Sequence, residues 1–244
     1  MPRYWVGHGI MGKKPFISLS PLKLAIKRAI NAFGYDLVPY YQHLPRMWSG
    51  NGEFLKLADH IRSRTLVPPE RLFVLYQLAC YVAAKEDALA EVGVFKGGTA
   101  HLVASVRPDR PLHLFDTFEG LPETDPEVDR HRTGDFSDTS LEGVKAFLSG
   151  HRNVHFHKGF FPDTAGPVAD NKFCLVHVDV DIYQSVRDCL EFFYPRLVSG
   201  GFMVFDDYEG KNCPGVRKAI DEFLVDKPEV QIATAPFQCM ILKA

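Results

Sequence analysis

The sequence predicts an α/β domain with a mostly parallel sheet, because strand-like and helix-like segments alternate from residue 69 onward. Such alternation places helices on both faces of a parallel sheet. The last two strand-like segments, 230–235 and 237–243, are separated only by Pro236 and can pair only as antiparallel neighbours. We therefore predict a seven-stranded sheet that is parallel except for a C-terminal antiparallel hairpin.

The other elements follow from local patterns of apolar residues and helix caps. A helix is predicted at 69–85, where Pro69 suits the first helical turn, and an acidic loop is predicted at 119–139. The remaining strands are expected at 87–95, 111–118, 154–159, 173–180 and 201–207, and the remaining helices at 97–106, 140–150, 185–197 and 214–224.

Residues 1–68 are predicted to be an N-terminal extension, and residues 69–244 the main domain. Within the extension, 20–33 forms a short basic amphipathic helix, with Ser20 as N-cap and Pro21 at the first helical position. We expect this helix to pack on the main domain or on a partner subunit of a homo-oligomer, and the extension to help shape an acceptor site. Contact with a membrane surface is the less favoured alternative.

Composition excludes several classes of protein. The 244 residues carry a net charge of -2, so no basic excess indicates a nucleic-acid partner. No apolar run approaches the roughly 18–20 residues of a membrane span. The five cysteines are scattered and form no CxxC pair, which predicts free thiols in a reducing compartment and hence a cytoplasmic protein.

The first strand–helix turn reads EVGVFKGGTA (91–100). Gly93 permits a tight turn, and the glycines at 97–98 allow a ligand or the next helix to approach the backbone. The turn lacks the GxGxxG fingerprint, so a dinucleotide is disfavoured. The E-x-G-x(3)-G pattern fits S-adenosylmethionine, with Asp116 at the end of the second strand available for the ribose hydroxyls. A purely structural turn is the alternative.

Two pairs of carboxylates follow neighbouring strands. FCLVHVDVDIY (173–183) carries Asp179 and Asp181, which share one side with His177 if the strand persists. The next strand ends in Asp206-Asp207, and neighbouring strands lie about 4.8 Å apart. Converging carboxylates favour a hard divalent cation such as Mg²⁺. No cluster of Cys and His is visible in the sequence, so zinc is not expected. The alternative is that one pair caps a helix and the other is solvated.

The segment 177–224, HVDVDIYQSVRDCLEFFYPRLVSGGFMVFDDYEGKNCPGVRKAIDEFL, resembles the macrocin O-methyltransferase family. EVGVFKGGTA, LFDTFEGLPETD and GDFSDTS (134–140) resemble it too, so the similarity covers roughly residues 70–244. Members of that family are metal- and S-adenosylmethionine-dependent sugar O-methyltransferases of macrolide and aminocoumarin pathways. The resemblance implies a class I methyltransferase (Rossmann-like) fold.

Site residues follow from the same resemblance. It implies Asp179, Asp206 and Asp207 as metal ligands and Asp181 as the general base, so that Asp179 and Asp181 are the expected catalytic residues. The expected cofactor-binding residues are Glu91, Gly93, Phe95, Gly97, Thr99, Asp116, Thr117 and Asp135. Two departures from the family pattern, Ser185-Val186 for Ser-Thr and Ser199-Gly200-Gly201 for Pro-Gly-Gly, remove no ligand.

The predicted function is Mg²⁺-dependent transfer of a methyl group from S-adenosylmethionine to a sugar hydroxyl of a glycosylated small molecule or glycan. A vicinal diol is the expected acceptor, because two adjacent hydroxyls chelate a cation well. A catechol acceptor is the alternative, but such enzymes often place Lys where this chain has Ile182. A non-catalytic binding protein of the same fold is the alternative from another class; it predicts a decayed site, whereas all four aspartates are present.

Overall fold

The structure is a computed structural model that describes residues 47–244, which belong to one compact unit, Arg46–Ala244. The helix predicted at 20–33 lies outside the described residues. No helix within 47–244 is long and apolar enough to cross a bilayer.

Seven strands form one sheet in the order β3-β2-β1-β4-β5-β7-β6. The first five pair in parallel, and β7 runs antiparallel between β5 and β6. This arrangement confirms the predicted parallel sheet with a C-terminal antiparallel hairpin. The strands are β1 Ala88–Val92, β2 Leu112–Asp116, β3 Val154–Lys158, β4 Phe173–Val178, β5 Leu197–Asp206, β6 Gln231–Ala235 and β7 Gln238–Leu242.

Helices cover both faces of the sheet, and each face has its own hydrophobic core. Phe54, Leu75 and Leu102 are buried in one core, and Phe193 and Ile220 in the other. The α-helices are α1 Gly52–Ile61, α2 Pro69–Tyr81, α3 Gly98–Val106, α4 Leu141–Phe147, α5 Tyr183–Phe193 and α6 Pro214–Leu224. Short 3₁₀ helices occupy Val82–Ala84, Asp163–Val168 and Tyr194–Arg196.

Helix α1 was not predicted, although its cap is visible in the sequence. The side chain of Asn51 accepts a hydrogen bond from the backbone N–H of Phe54. Phe54 and Ile61 are fully buried among the side chains of α2 and α3. Helix α1 and the segment that follows it, which the sequence assigned to the N-terminal extension, therefore pack on the sheet domain.

Strand β4 ends at Val178, two residues before the predicted end, and β1 likewise ends at Val92 rather than at residue 95. The Asp179 N–H still donates to the Val92 carbonyl, but Asp181 then adopts a φ of 60°. That conformation is incompatible with an extended strand. The predicted common side of His177, Asp179 and Asp181 required the strand to persist to Asp181, and this condition is not met. The turn after β4 sets the directions of the two carboxylates instead.

Candidate active site

The candidate site lies at the carboxyl ends of the central strands. The order of the sheet reverses between β1 and β4, where ligands of open α/β sheets bind. Four segments meet there: the glycine turn after β1, Asp116 at the end of β2, Asp179 after β4, and Asp207 after β5. The carboxylates that were expected to converge at one edge of the sheet thus lie close together.

Gly93 allows the turn after β1 to lie very close to the turn after β4. Its φ is 88°, and a Cβ added to it would lie 1.8 Å from the backbone oxygen of Asp179. Any side chain would therefore collide with the turn that carries the carboxylates. Gly97 has a φ of 83° and is the N-cap of α3, so its left-handed backbone conformation ends the turn where the helix begins.

Asp116 is bonded to the backbone of the glycine turn. Its Oδ2 accepts hydrogen bonds from the N–H groups of Val94 at 2.7 Å and Phe95 at 2.9 Å, and its Oδ1 accepts one from Phe118 at 2.6 Å. A carboxylate has about four acceptor positions, so one stays available for a ligand hydroxyl. The sequence predicted a contact with ribose, and the structure adds that Asp116 shapes the turn around it.

An open cleft with a cavity volume of about 170 Å³ runs along this edge of the sheet. Seven of the expected site residues line it: Gly93, Phe95, Thr99, Asp116, Thr117, Asp179 and Asp181. Sequence reasoning missed several other lining residues, among them Arg64, Thr65, Leu66, Phe136, Thr139 and Phe160. The first three belong to the segment after α1, whose contact with the turn begins where the Gly98 N–H donates to the Arg64 carbonyl at 3.1 Å.

Three expected cofactor residues lie outside the cleft wall. Glu91 is fully buried beneath the turn, where the Thr99 hydroxyl donates to its Oε1. Gly97 packs against α4, since a Cβ there would come within 2.9 Å of Val144. The Asp135 carboxylate contacts the ring of His131 instead.

A buried chain of polar groups connects the glycine turn with the carboxylates after β5. His177 lies between Glu91 and Asp206, with its Nδ1 3.5 Å from Oε1 of Glu91 and its Nε2 3.2 Å from Oδ2 of Asp206. Burial lowers the pKa of His177, but these two carboxylates outweigh it and hold the pKa well above its usual value. A protonated His177 therefore compensates two carboxylates that would otherwise be costly to bury.

Carboxylates dominate the other side of the cleft. Asp179, Asp181 and Asp207 each place one oxygen within 4.8 Å of the others, and Asp206 comes equally close to Asp179 and His177. Burial, followed by repulsion from Asp206 and Asp181, raises the pKa of Asp179 well above its usual value. Burial and the Asp207 charge raise the pKa of Asp181 to about 6.

These carboxylates fit a hard divalent cation, because the donors are all oxygen and their negative charge is incompletely compensated. The fit is less direct for Asp206 than for the others. Its two oxygens already accept hydrogen bonds from His177 at 3.2 Å and from Gln238 at 2.9 Å. A second acceptor position on each oxygen remains for a cation.

Arg71 is a cation of the site that the sequence did not reveal. Its Nη1 lies 3.2 Å from Oδ1 of Asp207 and 3.7 Å from Oδ1 of Asp206. Its Nε donates to the Pro236 carbonyl at 2.9 Å, which connects α2 with the hairpin between β6 and β7. No local pattern marks such a residue, because its partners lie far away in the chain.

Comparisons with known proteins agree with this geometry. Residues 62–235 match the family described as Macrocin-O-methyltransferase (TylF). Among solved structures, the O-methyltransferase NovP is similar with a TM-score of 0.66 and 26% identity over 74% of this chain and 82% of that chain. The calicheamicin methyltransferase CalS11 is similar in fold, with a TM-score of 0.61 and 20% identity over 98% of this chain and 99% of that one.

Three relatives are similar in sequence. Demethyldecarbamoylnovobiocin O-methyltransferase of Streptomyces niveus is 28% identical over 55% of this chain and 57% of its own length. The 8-demethyl-8-(2,3-dimethoxy-alpha-L-rhamnosyl)-tetracenomycin-C 4'-O-methyltransferase of Streptomyces olivaceus is 30% identical over the same shares. Mycinamicin III 3''-O-methyltransferase of Micromonospora griseorubida is 29% identical over 66% of this chain and 70% of its own length.

The match therefore spans less than two thirds of the length of the first two relatives. The family match includes the glycine turn, all four aspartates and most of the sheet, because it begins at residue 62 and ends in β6. The family match and the sheet topology together show that the chain belongs to the TylF macrocin O-methyltransferase family and has the class I methyltransferase fold.

Proposed function

We propose that the protein transfers a methyl group from S-adenosylmethionine to a hydroxyl of a sugar-containing small molecule or glycan, in a reaction that depends on Mg²⁺. One observation carries the proposal. In a chain of this family, two of the clustered aspartates, Asp179 and Asp181, line the same cleft as the glycine turn. A methyl donor bound at the turn and a hydroxyl beside the aspartates would therefore be neighbours.

The cofactor is expected to lie along the glycine turn. Gly93, Phe95 and Thr99 line that part of the cleft, and the remaining acceptor position of Asp116 suits a ribose hydroxyl. Apolar surface is available as well, since the rings of Phe95 and Phe136 pack edge to face with centroids 6.2 Å apart. Such surface suits the uncharged adenine of the donor.

Mg²⁺ would be held by Asp179, Asp206 and Asp207. A cation bound there lowers the pKa of an acceptor hydroxyl and orients it. Asp181 is the proposed general base: with a pKa of about 6, raised by burial and by the Asp207 charge, its carboxylate is ionised at neutral pH. It is also basic enough to accept a proton during transfer.

The reaction is then a single displacement. The hydroxyl proton passes to Asp181, the acceptor oxygen forms a bond to the methyl carbon, and the carbon–sulfur bond breaks, leaving a neutral thioether. Because the sulfonium charge disappears in this step, the site acts mainly by aligning the two reactants.

A sugar acceptor is favoured by the relatives, because the enzyme of Streptomyces olivaceus is named for a rhamnosyl compound. Two adjacent hydroxyls on a ring would bind a cation better than one. We therefore expect glycosides with a vicinal diol to be methylated and matched monodeoxy glycosides to be poor acceptors.

Calorimetric binding of S-adenosylhomocysteine in the presence of Mg²⁺ tests the cofactor assignment first. Asp179→Asn tests the aspartates. This variant should retain binding of S-adenosylhomocysteine but lose methyl transfer by at least about 100-fold, since electrostatic help from a cation is worth several kcal/mol. Asp226→Asn, on the exposed surface, is the matched control.

Absence of S-adenosylhomocysteine binding would overturn the cofactor assignment and with it the proposed reaction. Retention of more than about a tenth of the wild-type rate in Asp179→Asn would show that Asp179 does not hold the cation, because a tenfold loss is only about 1.4 kcal/mol.

A further inference from the structure

His131, Asp181 and Cys213 come together at the edge of the cleft. One ligand atom from each lies within 4.8 Å of the others. The sequence shows no sign of this group, because His131 lies in the acidic loop after β2, Asp181 follows β4, and Cys213 precedes α6. We propose that these three residues form a second cation site that takes a thiophilic divalent ion such as Zn²⁺, and that its occupation inhibits methyl transfer.

The donor set separates this site from the all-oxygen site beside it. Imidazole nitrogen, carboxylate oxygen and thiolate sulfur are the ligands of Zn²⁺, whereas Mg²⁺ prefers oxygen alone. The Cys213 Sγ lies 3.3 Å from Oδ1 of Asp181. Tetrahedral zinc bonds of about 2.3 Å to sulfur and 2.1 Å to oxygen would place those atoms about 3.6 Å apart. Cys213 and Asp181 therefore need only a small adjustment to bind the same ion.

One ring nitrogen of His131 contacts a carboxylate, as is usual for metal-binding histidines. Its Nδ1 lies 3.2 Å from Oδ2 of Asp135, which also accepts the Arg132 N–H at 2.9 Å. In the proposed site this carboxylate fixes the tautomer, and the other ring nitrogen, Nε2, is the metal donor. This contact is independent of the three proposed ligands and gives Asp135 a function other than the predicted contact with the cofactor.

The loop that carries His131 is anchored close to the other two ligands. Asp129, two residues earlier, is buried and accepts a hydrogen bond at 2.9 Å from the N–H of Tyr183, the first residue of α5. The ring of His131 packs on Phe136, with centroids 5.2 Å apart. These contacts hold the imidazole at the edge of the cleft.

Binding of the ion exchanges one proton. Without a cation, the buried Cys213 thiol donates to Asp181. On binding, the thiol proton is released to water, and sulfur, nitrogen and carboxylate oxygen coordinate the ion, with a fourth position open to water or to an acceptor hydroxyl. Nothing is oxidised or reduced.

Inhibition follows because Asp181 belongs to both sites. Once its carboxylate coordinates Zn²⁺, it can no longer accept the hydroxyl proton. This part of the inference rests on the proposed function, whereas binding of the ion does not.

Co²⁺ is the probe that tests binding directly, because thiolate ligation gives a charge-transfer band in the near ultraviolet and a tetrahedral site gives strong visible bands. The full chain is titrated with Co²⁺ in excess Mg²⁺, which occupies the all-oxygen site. We expect both features in the wild type, loss of the charge-transfer band in Cys213→Ser, and an unchanged band in Cys80→Ser, which removes an exposed cysteine far from the site. Circular dichroism checks the fold of each variant.

Asp135→Asn is a second variant, and it leaves all three ligands in place. It should weaken binding of Zn²⁺, measured by competition with Co²⁺, by about 10–100-fold. The matched control is Asp138→Asn in the same loop, where the carboxylate pairs with Lys96. This control should leave the affinity for Zn²⁺ unchanged.

Inhibition is measured as methyl transfer at saturating Mg²⁺ with increasing Zn²⁺. Wild type should lose activity, and Asp135→Asn should require about 10–100-fold more Zn²⁺ for the same loss. A wild-type spectrum without the sulfur band, or a band that persists in folded Cys213→Ser, would overturn the site. A sulfur band without any inhibition would overturn the inhibitory role. Failure of the proposed function itself is detected separately, by the absence of S-adenosylhomocysteine binding before any transition metal is added.

Discussion

Arg71 is a single cation shared by two carboxylates of the candidate site. Its guanidinium lies within 3.7 Å of both Asp206 and Asp207 and is itself buried. Burial raises the pKa of Asp207, and Arg71 is the main group that opposes this rise. Arg71 therefore reduces the free energy needed to hold these aspartates together before any cation binds.

Arg71→Met should leave the aspartates without this compensation. We expect the free energy of unfolding to fall by about 3–5 kcal/mol, the usual cost of breaking a buried ion pair. Mg²⁺ should then raise the melting temperature of the variant more than that of the wild type, because a cation restores the missing positive charge. Thermal unfolding with and without Mg²⁺ measures both effects.

Arg152→Met, on the exposed surface, is the control for loss of an arginine. If Mg²⁺ raises the melting temperature of Arg71→Met and of wild type by the same amount, the cation does not bind beside Asp206 and Asp207.

At the scale of elements, three histidines join the edge strand β3 to β2. His113 lies opposite His155 in the strand register, and Phe115 lies opposite His157. Nδ1 of His113 is 3.1 Å from Nε2 of His157, and that ring stacks on Phe115 with centroids 4.5 Å apart. Burial, followed by repulsion from the other two histidines, lowers the pKa of His113 to about 4. The packing of β2 against β3 therefore favours the neutral form of the His113 imidazole.

This arrangement predicts a loss of stability in mild acid. His113 stays neutral in the folded protein but takes up a proton in the unfolded chain below about pH 6.5. Since the unfolded state then binds more protons, stability should fall as the pH drops from about 6.5 to 4, at up to about 1.4 kcal/mol per pH unit for this group. His113→Leu should remove that part of the slope, as measured by urea unfolding between pH 7 and pH 4.

His155→Leu serves for comparison, because its ring is exposed on the neighbouring strand and the variant should lose only the part of the slope that comes from its repulsion of His113. A slope that is unchanged in His113→Leu would contradict the assignment of the acid sensitivity to β2 and β3.

At the scale of the whole molecule, one buried carboxylate holds the end of the chain to the sheet domain. Glu229 accepts hydrogen bonds from the Tyr194 hydroxyl and, at 2.8 Å, from Lys243. Lys243 also lies over the Tyr194 ring, 3.8 Å from its centroid. Burial disfavours the charged form of Glu229, but these partners hold its pKa at about 2. Three distant segments therefore depend on one ionised group.

Glu229→Gln should lower the free energy of unfolding at pH 7 by about 2 kcal/mol, since hydrogen bonds to charged groups contribute about 1.5–3 kcal/mol. The pKa of Glu229 is depressed in the folded state, so its contribution is complete above the unfolded value of about 4.3 and declines as the pH falls toward 2. The difference between variant and wild type should narrow over that range in urea unfolding curves.

Glu222→Gln serves for comparison, because Glu222 bonds the Tyr183 hydroxyl at 2.7 Å on the exposed surface. This variant should lower the free energy of unfolding far less than Glu229→Gln does. Similar losses in the two variants would mean that burial does not strengthen the Glu229 contacts.

The sheet and its ligand-binding edge could be predicted from the sequence because they depend on local alternation and on a general rule of parallel sheets. The positions of Asp179 and Asp181 were also predicted, but for the wrong reason. The strand does not persist to Asp181, and a left-handed backbone conformation directs its carboxylate toward Cys213. Periodicity carries no information about such a turn.

Contacts between distant segments could not be predicted. His131 reaches Asp181 only because Asp129 ties the acidic loop to α5, and Arg71 reaches Asp207 only because α2 packs beside β5. Asp135 was assigned to the cofactor because its segment resembles the family, yet its carboxylate contacts His131. Resemblance identifies a segment, whereas the role of each side chain depends on its neighbours in space.

The segment after α1 has a practical consequence for protein engineering. The Arg64 carbonyl accepts a hydrogen bond from the Gly98 N–H, and Arg64, Thr65 and Leu66 form part of the cleft wall. A chimera joined to a relative at residue 46 would keep every described wall of the cleft, whereas a junction at residue 69 would import part of that wall from the donor sequence. Exchanges of the N-terminal segment that are meant to leave the described cleft intact should therefore use the earlier junction.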